Sequence, residues 1–61
     1  MNNIKHLREI KGITQVELAR RVGVDRSHMN RVENNKIKPG ISLSLRISKA
    51  LECSLDDIFL G

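Results

Sequence analysis

Residues 14–33 read TQVELARRVGVDRSHMNRVE, and the way this stretch punctuates itself decides most of the fold. Thr14 stands three residues before Glu17, the spacing of a capping box, with Ile13 and Leu18 placed as the flanking hydrophobic staple. The helix that starts there runs to Val22 with Leu18, Ala19 and Val22 turned inward, and Gly23 ends it. Asp25 then caps the next helix, which runs to Glu33. Only Gly-Val-Asp separates the two, and so short a connection containing glycine is the signature of a helix-turn-helix over about residues 14–33.

The second helix of the pair has an unusual polar face. Stepping about 100° per residue from Arg26 places Met29 and Val32 on one side and Ser27, Asn30 and Arg31 on the other, with Arg26 at the rim and His28 toward the opposite flank. A solvated helix face ordinarily mixes Glu with Lys; this one carries no acid. Two guanidiniums, an amide and a hydroxyl are the groups that bond base edges and phosphates in a major groove.

Outward from this core the same periodicity continues. A first helix spans about Asn3 to Lys11, burying Ile4 and Leu7 and stopping at Gly12. After Glu33, Asn34 or Asn35 takes the left-handed cap conformation, and Ile37 is buried between Lys36 and Lys38. A fourth helix starts between Gly40 and Ser42 and reaches Leu51, with Ile41, Leu45, Ile47 and Leu51 expected inside. A short fifth begins at Ser54 with Asp56 and Asp57 in its first turn, where the helix dipole favours them. The fold expected is all-α, one domain over residues 1–61.

Composition narrows the function. A chain of 61 residues with Phe59 as its only aromatic has a core of aliphatic side chains and little room for an enzyme's cleft, so no catalytic activity is expected. His6, His28 and Cys53 fall on different elements, which leaves no metal-ligand set, no nucleophile with its base, and no cofactor to expect. Cys53 suits a half-buried apolar filler. No long apolar run or signal-peptide core is present, and the single cysteine fits a cytoplasmic setting. Residues 1–49 hold all eleven Lys and Arg against four acids, a balance of +7, while residues 50–61 carry only Glu52, Asp56 and Asp57, or −3. The basic charge is therefore segregated along the chain, which points to a polyanionic partner.

The run LREIKGITQVELARRVGVDRSHMNRVENNKIKP followed by LRISKALECSLDDIF resembles the phage-repressor and Cro-type, or XRE, helix-turn-helix family over nearly the whole chain. The resemblance rests on Leu-Arg before Lys-Gly, Thr-Gln-x-Glu-Leu-Ala, the Gly-Val turn, the Glu closing the third helix and Ser-Leu-Asp-Asp, all in register. It implies a five-helix, lambda-repressor-like domain that binds operator DNA as a dimer and represses transcription. It further implies that Arg26, Ser27 and Arg31 occupy base-reading positions, that Gln15 meets a phosphate or base beside them, and that Arg8 and Glu33 form an ion pair. Asn30 joins the readers from its place on the outward stripe. Phosphate contacts are expected from Gln15 at the start of the second helix and from His28, Asn34, Lys36 and Lys38. Two features depart from the pattern: Ser44 and Ser48 stand where apolar or small residues are common, so helix four is expected to pack less tightly, and Asn35 stands where glycine is frequent.

A homodimer is expected through the C-terminal part of the chain, with Leu43, Ile58, Phe59 and Leu60 at the interface, because so small an interior cannot cover every apolar side chain there. The same region is acidic and would lie away from phosphates. Two recognition helices related by a twofold axis about 34 Å apart would then read an inverted repeat with half-sites about ten base pairs apart. The competing expectation is a protein-interaction module, such as an antitoxin-like chain with secondary DNA binding, although no tail is expected after Gly61 to thread into a toxin. RNA binding lacks the aromatic side chains on which bases stack.

Overall fold

Capping side chains set where three of the five helices begin in the computed structural model, which describes residues 2–60. α1 covers Ile4–Ile10, α2 Gln15–Val22, α3 Arg26–Glu33, α4 Ile41–Leu51 and α5 Leu55–Phe59, with no strand among the described residues. Thr14 Oγ1 accepts the Glu17 N–H at 3.1 Å, and Asp25 Oδ1 accepts the His28 N–H at 2.7 Å. Each satisfies one of the amides that a helix start leaves without an internal partner. Gly23 ends α2 at φ 78°, in the left-handed region where a side chain would be strained.

The expected capping box at Thr14 is only half formed. Instead of returning to the Thr14 N–H, the Glu17 carboxylate accepts from Arg20 Nε at 3.1 Å and Arg21 Nε at 2.7 Å. Charged donors three and four residues on outcompete a neutral amide that water can serve. Hydrogen bonds from Arg20 first, then Arg21, hold the Glu17 carboxyl down at about 2. The complete box lies on α5, where Ser54 Oγ accepts the Asp57 N–H and Asp57 Oδ2 accepts the Ser54 N–H, both at 3.0 Å. Those bonds from Ser54 lower the Asp57 carboxyl.

α2 packs against α1, α3 and α4, and α5 closes on α4. Their shared interior is formed by Ile4, Leu18, Ala19, Val22, Met29, Val32, Leu43, Ile47, Leu51 and Ile58. Leu7, Ile13, Val24, Ile37, Ala50 and Cys53 pack partly buried around it. Burial, and then the nearby Asp57 charge, push the Cys53 thiol up, as befits a filler rather than a nucleophile. No helix among the described residues is long and apolar enough to cross a membrane.

The orientation of α4 differs from expectation. Ile41 and Leu45 are 74% and 42% exposed, whereas Leu43 is buried. Two stripes with a spacing of four compete on this helix: Ile41 with Leu45, and Leu43 with Ile47 and Leu51. The second aligns three side chains and is flanked by Ser44 and Ser48, both buried and small enough for neighbouring helices to approach. Ser48 Oγ donates to the Leu45 carbonyl at 2.8 Å, and no buried side-chain polar atom among the described residues lacks a partner. The two serines therefore face the interior without an orphaned hydroxyl. Ile58 is likewise fully buried, so neither Leu43 nor Ile58 is available at a surface interface; Phe59 and Leu60 are exposed.

Two asparagines ahead of α1 tie the ends of other helices. Asn2 Nδ2 donates to the Val32 carbonyl at 2.9 Å and to Asn35 Oδ1 at 3.1 Å, capping α3 beside Asn35, the asparagine that adopts positive φ. The Asn3 N–H donates to the Ile58 carbonyl at 2.8 Å, and Asn3 Nδ2 to that of Asp57 at 3.1 Å. Glu52 ends α4 in the left-handed region at φ 53°, a conformation unusual for a residue with a side chain, and its carboxylate meets Lys11 Nζ at 2.9 Å.

Candidate nucleic-acid interface

The N-terminus of α2 and the outer face of α3 meet because the Gly23 turn folds one helix across the other. Between them lies an open concavity of about 420 Å³ lined by Gln15, Arg26, Ser27, Asn30 and Arg31. All four residues expected to read bases are exposed. The opposite face of α3 holds Met29 and Val32 in the core, so burial fixes which side of the helix looks outward.

Charge pairing sharpens the polarity of this face. Arg20 and Arg21 share Glu17, Lys11 pairs with Glu52, and Arg8 pairs with Glu33. Among the described residues neither Arg26 nor Arg31 has an acidic partner within ion-pair distance. The two guanidiniums at the concavity are thus uncompensated by any described carboxylate, and the surface there attracts anions.

Beneath the concavity lies the ion pair that the family resemblance implied. Arg8 Nε donates to Glu33 Oε2 at 2.8 Å and Arg8 Nη2 to Glu33 Oε1 at 3.2 Å, a two-pronged contact between side chains 10% and 2% exposed. Arg8 Nη1 also donates to the Ile13 carbonyl at 2.9 Å, so one guanidinium joins α1, the approach to α2 and the end of α3. Gln15 Nε2 donates to Glu33 Oε1 at 3.2 Å, a contact with no signature in the sequence.

The residues expected at phosphates are more dispersed. Asn34 Nδ2 donates to Asn30 Oδ1 at 3.2 Å, which places it at the C-terminal edge of the outer face of α3. His28 is half-buried and does not line the concavity. Lys36 and Lys38 are exposed beyond α3, Lys38 beside a second cleft of about 400 Å³ formed with Asn2, Asn35, Ile37, Pro39 and Phe59. Arg46 escaped sequence reasoning: its Nη1 donates to the Val22 carbonyl at 2.7 Å, bracing the end of α2 at the turn. No three of the His, Cys, Asp and Glu residues described come together as a metal site.

A helix-turn-helix family model matches residues 4–58. The chain belongs to the helix-turn-helix family. This is a family of DNA-binding transcriptional regulators, and the similarity is of the phage-repressor type. An uncharacterized HTH-type transcriptional regulator of Methanocaldococcus jannaschii is 32% identical over 59 residues, covering 97% of this chain and 89% of its own length. One from Archaeoglobus fulgidus is 37% identical over 57 residues, covering 93% and 80%. Among solved structures, the P22 c2 repressor protein in complex with synthetic operator 9T superposes with a TM-score of 0.83 at 33% identity, covering 88% of this chain and 82% of that one. The five-helix, lambda-repressor-like fold expected from the sequence is thereby established.

Proposed function

We propose that this helix-turn-helix protein binds a specific DNA operator as a homodimer, inserts α3 into the major groove and represses transcription. The observation that carries the reading is the concavity in which Arg26, Ser27, Asn30 and Arg31 stand together, with neither guanidinium paired to an acid among the described residues. Arginine bonds guanine O6 and N7 bidentately and asparagine bonds adenine N6 and N7 in the same way, while serine bonds base edges more flexibly, so this face suits direct readout. Selection of duplexes from a random-sequence DNA pool tests the proposal: a single enriched motif is expected, and recovery of no preferred sequence would defeat it.

Phosphate contacts around this face are assigned to the N-terminus of α2 with Gln15, and to His28, Asn34, Lys36 and Lys38. Such contacts fix register without reading sequence. Removing Lys36 is therefore expected to weaken selected and scrambled duplexes alike and to lower the slope of log affinity against log salt by roughly one unit. A loss confined to the selected duplex would mean that Lys36 reads bases instead.

The dimer interface is assigned to Phe59 and Leu60, joined by Ile41 and Leu45, whose exposure is unexplained by the monomer. A twofold axis there would set the half-sites of an inverted repeat about ten base pairs apart. Sedimentation at micromolar concentration is expected to give a dimer for the native chain and a monomer for Ile41→Asp with Leu60→Asp. Since both positions are exposed, the paired substitution leaves the core intact, and a dimer that survives it would exclude this surface.

A further inference from the structure

The contact between Gln15 and Glu33 has a consequence for DNA binding that neither residue carries alone. Glu33 Oε1 accepts both Arg8 Nη2 and Gln15 Nε2 at 3.2 Å, while Oε2 is engaged by Arg8 Nε at 2.8 Å. The carboxylate can only accept, so the amide must turn its NH2 end toward it, and the carbonyl oxygen and the second N–H are left for an outside partner. Gln15 also lines the concavity with Arg26 and Arg31, so those free groups belong to the proposed DNA-facing surface.

We infer that Glu33 is a positioning residue for DNA binding, holding the Gln15 amide in its working orientation before the duplex arrives. A free glutamine side chain must be immobilised on binding; one already held by a buried carboxylate has lost that freedom on folding. Arg8 makes the arrangement compatible with a polyanionic partner, because its guanidinium compensates the Glu33 charge directly beneath the site. The ion pair thus does two things: it joins α1 to α3 and it aims a side chain on α2.

The inference rests on the DNA-binding reading of this face, and the test separates the two. Gln15 is the only glutamine in the chain, so its side-chain amide is a distinctive NMR probe in the free protein. A restrained amide is expected, with an order parameter above about 0.6, and a value below that would overturn the positioning. Binding is then measured on the duplex enriched from the random pool. Gln15→Ala is expected to weaken the native chain about tenfold, the size of one hydrogen bond to a charged group such as a phosphate. The ion pair is next replaced by apolar side chains, Arg8→Met with Glu33→Leu, an exchange that commonly preserves folding. In that background Gln15→Ala is expected to change affinity by less than about twofold, since an unaimed side chain has little advantage left to lose. An equal loss in both backgrounds, or no loss in the native chain, overturns the inference. If the pool yields no preferred duplex, the DNA reading fails, and the amide order parameter in the free protein still decides whether Glu33 holds Gln15.

Discussion

Replacing Glu33 by alanine is expected to cost about 3–5 kcal/mol of folding stability, the range for breaking a buried pair by removing one partner. Arg8 would lose two of its three hydrogen bonds and keep only that to the Ile13 carbonyl, leaving a guanidinium 10% exposed without a counter-charge. An exposed pair would be worth only about 0–1 kcal/mol, so the burial of both partners decides the size of the effect. Domains this small have a total stability near the lower end of about 5–15 kcal/mol, and the substitution should therefore leave much of the chain unfolded. Urea denaturation followed by helical circular dichroism measures the loss. A cost below about 1 kcal/mol would show that the pair behaves as if solvated. The paired exchange Arg8→Met with Glu33→Leu, which leaves no charge behind, should recover most of the loss.

The second large effect is expected at Arg31, where alanine should remove about 1–3 kcal/mol of discrimination, roughly five- to 150-fold, between the selected duplex and a scrambled one. Arg31 is exposed on α3 and has no acidic partner among the described residues, so its removal should leave the fold unchanged. Binding should consequently fall most on the duplex whose bases it reads, with a smaller loss on scrambled DNA. Fluorescence anisotropy on both duplexes tests this. An unchanged ratio of affinities would remove Arg31 from the readers and shift the assignment toward Arg26 or Asn30. The contrast with Lys36, whose loss should affect both duplexes equally, separates base contacts from phosphate contacts within one protein.

Short-range chemistry made much of this molecule legible in its sequence. Thr14, Asp25 and Ser54 each cap a helix that begins at the next residue, and Gly23 and Asn35 adopt the left-handed conformations expected of them. These features depend on groups a few residues apart, so residue type and spacing suffice to find them. The outward direction of Arg26, Ser27, Asn30 and Arg31 was equally readable, because Met29 and Val32 alone determine which side of α3 is buried. Arg8 and Glu33 were paired through resemblance to the family rather than through spacing.

Tertiary structure alone decided which stripe of α4 turns inward. Ile41 with Leu45 and Leu43 with Ile47 and Leu51 are both helical repeats, and only packing selects between them, burying Leu43 and leaving Ile41 and Leu45 exposed. The same holds for Ile58, and for the bonds from Gln15 to Glu33, Arg46 to Val22 and Asn2 to Val32. Each of those bonds joins residues 18 to 30 positions apart in the chain. A capping amide lies within reach of its own helix whatever the rest of the protein does. A partner on another helix comes within about 3 Å only after the helices have packed, so no local pattern in the sequence encodes the encounter.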